Sequence, residues 1–207
     1  MTTLARITIA LILALFLSSC AFDLNFGEGK KGNGTIVEDS RAISEAFTVV
    51  SASEGLDVYV TQANEFKIIV EADENILNLI GTDIKNGKLT IHAIENIGRA
   101  TKKIHVSLPN ISALSSSSGA ELTTVNTIEA EKISLDASSG ADLEVSLVAN
   151  EVTADASSGA DIQVTGRTNM LHADASSGAD IKAKDLTTKI CNADASSGAD
   201  ISLNVSE

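Results

Sequence analysis

The sequence predicts an all-β chain wound as a parallel β-helix, and three observations predict it. The heptad Asp-Ala-Ser-Ser-Gly-Ala-Asp is written four times, at Asp136–Asp142, Asp155–Asp161, Asp174–Asp180 and Asp194–Asp200. With a degenerate copy at Ser115–Leu122, the repeat glycines are Gly119, Gly140, Gly159, Gly178 and Gly198, a period of about 20 residues that suits solenoid rungs. Between the heptads apolar and polar residues alternate: Ile133, Leu135 and Ala137 against Ser134 and Asp136, then Leu143, Val145 and Leu147 against Glu144 and Ser146. A unit this short has no room for a helix beside two strands of ordinary length, so a coil of parallel strands is the economical solution.

Taken in order, residues 1–19 read as a lipoprotein signal peptide. Arg6 supplies a short positive region, Ile7–Leu17 is an apolar run too short to span a bilayer comfortably, and Leu17-Ser18-Ser19-Cys20 closes it with small residues. This segment resembles a bacterial lipobox, which implies cleavage before Cys20 and lipidation of its thiol. Several acyl chains give stable anchoring, because each buried methylene contributes about 0.8 kcal/mol. The expected location is therefore the cell envelope, at the outer membrane, on a face the residues leave open. Residues 20–40 are rich in Gly and charge without periodicity and read as a flexible tether.

Residues 41–207 read as one β-helical domain, in two parts. From 41 to 114 the strand patterns are less regular: Phe47–Ala52, Leu56–Gln62, Phe66–Ala72, Lys88–Ile94 and Lys102–Leu108 alternate. Asn86-Gly87 predicts a hairpin turn, because a type I′ turn needs two residues tolerant of positive φ. Asp73–Ile80 reads as a short helix with Asp73 as its N-cap, and Pro109 marks a turn before the repeats. From 115 to 207 the rungs follow. All six aromatics lie at or before Phe66, so the repeat core is built from Ala, Val, Ile and Leu. Cys191 aligns with Ile133, Val152 and Leu171, which predicts an inward small hydrophobe.

Stacking turns repeated letters into columns along the axis, with neighbours about 4.8 Å apart. Two columns are acidic: Asp136, Asp155, Asp174 and Asp194, and Asp142, Asp161, Asp180 and Asp200. Unit charges at that spacing repel by roughly 0.9 kcal/mol in water. Backbone hydrogen bonds at each corner plus screening are the expected offset. Calcium bridging by Asp142, Asp161, Asp180 and Asp200 is the sharper alternative, although the glycine-rich nonapeptide of calcium-binding β-rolls is absent.

The ordered blocks beginning at Gly32, Ala72 and Lys102, with the tandem Ser-Ser-Gly-Ala-Asp segments, resemble the bacterial envelope family labelled "putative auto-transporter adhesin, head GIN domain". The resemblance implies a right-handed parallel β-helix, a Bacteroidetes-type source, and no catalytic residues to carry over.

Charge and composition exclude other classes. With 28 acidic against 15 basic residues and a formal charge of −13, the chain repels nucleic acid and bare anionic membrane. Paired carboxylates can cleave glycosides, but these repeat identically where a catalytic pair needs one asymmetric pocket. His92, His105 and His172 show no metal-ligand spacing, and no cofactor is implied. The expectation is a noncatalytic adhesion or recognition module, held to the membrane by its lipid and meeting an undetermined protein or glycan. A self-assembling envelope scaffold, through weak association of exposed terminal strands, is the alternative; a polysaccharide-active enzyme comes last.

Overall fold

The structure, a computed structural model, describes residues 28–205. Fourteen strands join in one curled sheet whose stacked parallel rungs make a β-solenoid of about five turns, as the alternation requires. The only helical element among the described residues is a 3₁₀ turn at Leu77–Leu79. Cys20 lies outside the described residues. Among the described residues no helix is long and apolar enough to cross a membrane.

The irregular half contributes β1 (Ile36–Ser40), β2 (Val49–Ala52), β3 (Asp57–Gln62), β4 (Lys67–Asp73), β5 (Ile80–Lys85), β6 (Lys88–Ala93) and β7 (Lys102–Leu108). The repeats contribute β8 (Ala113–Ser117), β9 (Glu121–Thr124), β10 (Ile128–Ser138), β11 (Asp142–Ser157), β12 (Asp161–Ala175), β13 (Asp180–Ala195) and β14 (Asp200–Val205). Sequence order and axial order differ at the start. The coil β2–β3 lies between β6–β7 on one side and β8–β9 on the other, all parallel. Beyond β6 and β7 the direction reverses: β5 pairs antiparallel with β6, and β4 with β7. This reversed coil closes one end of the solenoid, with β1 antiparallel along its edge.

From β8 onward the rungs stack in register. Leu114, Leu135, Ala154 and Ala173 form one inward column, and Leu122, Leu143, Ile162 and Ile181 another, none more than 4% exposed. Each fully buried Leu or Ile contributes roughly 1.5–3 kcal/mol, so the narrow core is stabilised rung by rung. At the last rung this cover ends. Ala193 and Ala195, equivalent to buried Ala173 and Ala175, are exposed, and Ile190 and Val205 are half exposed.

Each Ser-Ser-Gly-Ala corner is a tight turn with two left-handed residues. Ser158 has φ +54° and Gly159 φ +71°, and the Ala160 N–H donates to the Ser157 carbonyl at 3.2 Å, the type I′ pattern. The Gly159 N–H donates to the Ser177 carbonyl of the next rung at 3.1 Å, which links corners along the axis. The second serine therefore carries as much conformational demand as the glycine. The ladder of corners also begins one rung before Gly119: Glu54 and Gly55 are left-handed too, with φ +62° and +67°, and the Gly55 N–H reaches the Ser118 carbonyl at 3.1 Å. Asn86-Gly87 forms the expected hairpin turn between β5 and β6.

Two local expectations need correction. The tether expected over 20–40 does not run through Ser40, because residues 36–40 form β1 and the stretch before it is clamped. Lys30 N–H donates to Asn96 O at 2.9 Å, Gly32 N–H to Arg99 O at 3.0 Å, and Asn33 N–H to Asn75 Oδ1 at 2.9 Å. Asp73 is not an N-cap. It ends β4, 3% exposed, and its carboxylate accepts the Gly34 and Thr101 N–H groups; this ties the strap 28–35 to the loop before β7. The 3₁₀ turn itself starts after Ile76 without a side-chain cap. The space around Gly159 is open, so its requirement is the backbone angle alone. Among the glycines of the repeats the crowded one is Gly166, where a Cβ would lie 1.9 Å from the Leu147 carbonyl oxygen.

Candidate functional site

Outward positions alternate with the buried ones, so each rung presents side chains on a flat face and stacking aligns them. The column after the corner is longer than the four repeats. Register joins Asp57, Glu121, Asp142, Asp161, Asp180 and Asp200, and Asp57 in turn lies beside Lys103. Corner hydrogen bonds do not occupy these carboxylates. Their own N–H groups make the rung-to-rung bonds, such as Asp161 N–H to Ala141 O at 3.0 Å. At Asp161 the offset is a cation. Lys182 Nζ donates to Asp161 Oδ1 at 2.7 Å, and the lysine is held above its ordinary range by that bond, and less by charge attraction to Asp161, Asp180 and Asp142. Glu121, Asp142, Glu144, Asp161, Gln163 and Lys182 border a shallow groove here.

The column before the corner joins Asp136, Asp155, Asp174 and Asp194. Ser115, one rung earlier, places its Oγ 3.5 Å from Asp136 Oδ1. The carboxyl of Asp155 is pushed up, first by burial and then by Asp136 and Asp174 on either side. Two residues from this column runs a second: Ser134, Thr153, His172 and Asn192. Asp155, His172, Asp174, Asn192 and Asp194 line a second shallow cleft.

The two other histidines fall elsewhere. His92 Nδ1 is 3.6 Å from Asp83, and His105 is 3.5 Å from Glu71 and stacked on Tyr59 at 5.3 Å between ring centres. His172 has a different environment. Its Nε2 lies 3.1 Å from Met170 Sδ, and its Nδ1 lies 3.3 Å from Asn192 Nδ2. Reading the histidines for spacing to His, Cys or acids misses this pair. The usable signal is Met170-Leu171-His172, since strand alternation puts the first and third residues on one face.

Among the described residues no three His, Cys, Asp or Glu side chains converge to hold a metal. The weak calcium candidates Asp142, Asp161, Asp180 and Asp200 stand side by side along the axis, each on its own rung. Cys191 is a free, half-buried thiol level with Leu171, and burial pushes its pKa up.

Comparison with known proteins places this architecture. No curated protein matches the chain. Among solved structures, a putative adhesin from Bacteroides fragilis NCTC 9343 superposes with a TM-score of 0.74 at 15% identity, covering 86% of this chain and 84% of that one. A putative lipid binding protein from Parabacteroides distasonis ATCC 8503 gives 0.69 at 15% identity, over 86% and 85%. A putative adhesin from Parabacteroides merdae ATCC 43184 gives 0.63 at 16%, over 84% and 82%. At such identities the likeness concerns the fold. The family described as "Putative auto-transporter adhesin, head GIN domain" matches residues 46–207, and the chain belongs to it.

Proposed function

We propose that the protein is a lipid-anchored, noncatalytic envelope module that presents its columned faces to a protein or glycan partner. The observation that carries this reading is the in-register repetition of outward side chains. Identical Asp positions recur rung after rung on the outward faces, the corner serines Ser117, Ser138 and Ser157 stand in register beside them, and shallow grooves run between. Such a surface offers many equivalent weak contacts, which is the arrangement that multivalent recognition uses. Catalysis needs unlike neighbours in one enclosed site, and the acidic columns place like beside like. Family membership and the adhesin labels of structural relatives support the same reading. The lipobox-like segment ending at Cys20 supports attachment to the outer membrane. The test is a glycan and protein binding screen with the purified chain. Binding that falls when Asp161 and Asp180 are both changed to Asn supports the proposal, and hydrolysis of any bound glycan overturns its noncatalytic part.

A second reading, a self-assembling scaffold, is favoured by the last described rung. There β13 leaves Ile190–Ala195 without a neighbouring strand beyond it, and Ala193 and Ala195 are exposed. Open strand edges of this kind pair with other chains. Sedimentation over a wide range of concentration separates the two: a mass that stays that of one chain excludes the scaffold.

A further inference from the structure

We propose that Met170 and His172 form a binding site for a soft monovalent cation, Cu(I) in chemical class. The two residues are the first and third of a strand segment, so both project from the outer face of β12, and both are half-buried. Their donor atoms already meet: Sδ and Nε2 are 3.1 Å apart. An ion about 2.0 Å from the nitrogen and about 2.3 Å from the sulfur would see them at roughly a right angle, a bite that leaves room for a third ligand. Met is unbranched and can widen that angle without moving the backbone. A thioether with an imidazole selects Cu(I) over hard cations, which prefer oxygen ligands.

The surroundings fit a cation. Asp155, Asp174 and Asp194 line the same cleft as His172. Glu151 stands opposite Met170 across the β11–β12 pair, and its carboxylate is also bonded to Lys132 at 2.7 Å. Asn192 supplies orientation. Its amide N–H₂ faces Nδ1, which favours the tautomer with the proton on Nε2, toward the sulfur. When a metal takes Nε2 the proton belongs on Nδ1, and half a turn of the same amide presents Oδ1 to accept it. One partner thus holds the ring in place for both tautomers, the role that outer-shell groups play at metal-bound histidines.

The site is asymmetric within a repetitive molecule. At the Met170 level the neighbouring rungs carry Glu151 and Ile190, and at the His172 level Thr153 and Asn192. No other rung among the described residues repeats the sulfur and nitrogen pair.

The test uses the full chain with Cys20→Ala and Cys191→Ala, which removes both thiols, and methyl-labelled methionine. The sequence contains Met1 and Met170 alone, so in chain that retains residues 1–19 the Met1 methyl signal reports nonspecific binding. Silver(I) serves as the diamagnetic probe. The expected result is a Met170 methyl shift and a His172 ring shift that both saturate at one equivalent, with Met1 unmoved. Met170→Leu and His172→Gln should each weaken silver binding at least about tenfold, and Asn192→Leu should weaken it several-fold by freeing the ring. An equal concentration of calcium should not compete. Equal shifts of Met1 and Met170, saturation only at many equivalents, or unchanged affinity in His172→Gln would overturn the proposal. None of these readouts depends on adhesion or lipidation.

Discussion

Asp136 and Asp155 stand opposite each other across the parallel β10–β11 pair, and Asp174 stands opposite Asp155 on its other side. Burial first, and these two neighbours second, favour the protonated form of Asp155. The consequence for stability has a definite sign. The folded state holds a proton there more tightly than the unfolded chain, so stability is lost as pH rises from the ordinary Asp range through the raised folded value. Asp155→Asn should therefore raise the melting temperature at pH 7, by about 1–3 °C for a domain of this size. The gain should vanish once the pH falls below about 4, where the native carboxyl is protonated as well. Melting curves of both proteins across that range check it; a gain that persists at pH 3 would mean that packing is responsible.

Lys182 reaches from the neighbouring column to Asp161 and sets a cation against the longer acidic column. Lys182→Met should lower stability in low salt and steepen its rise with sodium chloride, with most of the difference gone near half-molar to molar salt. Calcium at matched ionic strength should add little in the native chain. A shift of several degrees on chelation, abolished by Asp161→Asn with Asp180→Asn, would instead assign the column to calcium.

Glycines of two kinds predict two costs. Gly159→Val puts a β-branched residue at φ +71° in open space and should cost about 1–2 kcal/mol, the ordinary penalty of the left-handed region. Gly166→Ala meets the Leu147 carbonyl and should cost more, at least about 2 kcal/mol, although alanine is the smaller residue. Thr165→Val, beside it on the outward face, should be near neutral. Denaturant unfolding of the three variants ranks them.

Cys20→Ala should leave unprocessed or soluble material, because acylation needs that thiol. Metabolic palmitate labelling that persists in the variant would sink the lipoprotein assignment.

The repeat half was legible because its period and its alternation agree. A reader of Ile133, Leu135 and Ala137 can place Val152, Ala154 and Ala156 with no further information, and Cys191 falls level with Leu171 as the heptads require. The irregular half hid its topology for a physical reason. Nothing local in Val49–Gln62 states that its coil inserts between two coils written later, nor that Lys67–Lys85 runs backwards to close the end. Those choices are made by long-range strand pairing. Asp73 was misread because an Asp ahead of an apolar run has the same letters whether it caps a helix or gathers N–H groups from Gly34 and Thr101. Met170 and His172 were readable by alternation, but only once thioether sulfur was counted among the donors.

The clamp at Asp73 has a mechanical consequence. Gly32 passes so close to that carboxylate that a Cβ there would overlap it, and the Gly34 and Thr101 N–H groups converge on the same two oxygens. A pull on the chain ahead of Glu28 therefore arrives at the strap before any rung. The rungs are tied to one another by long backbone ladders, whereas the strap is held by a few backbone bonds to residues 96–99 and by the Asp73 carboxylate, so the strap should detach before the solenoid beneath it. Under load the molecule should yield in two steps, a small early rip of the clamp and a larger one of the solenoid, and Asp73→Ala should lower the force of the first while leaving the second at its native force.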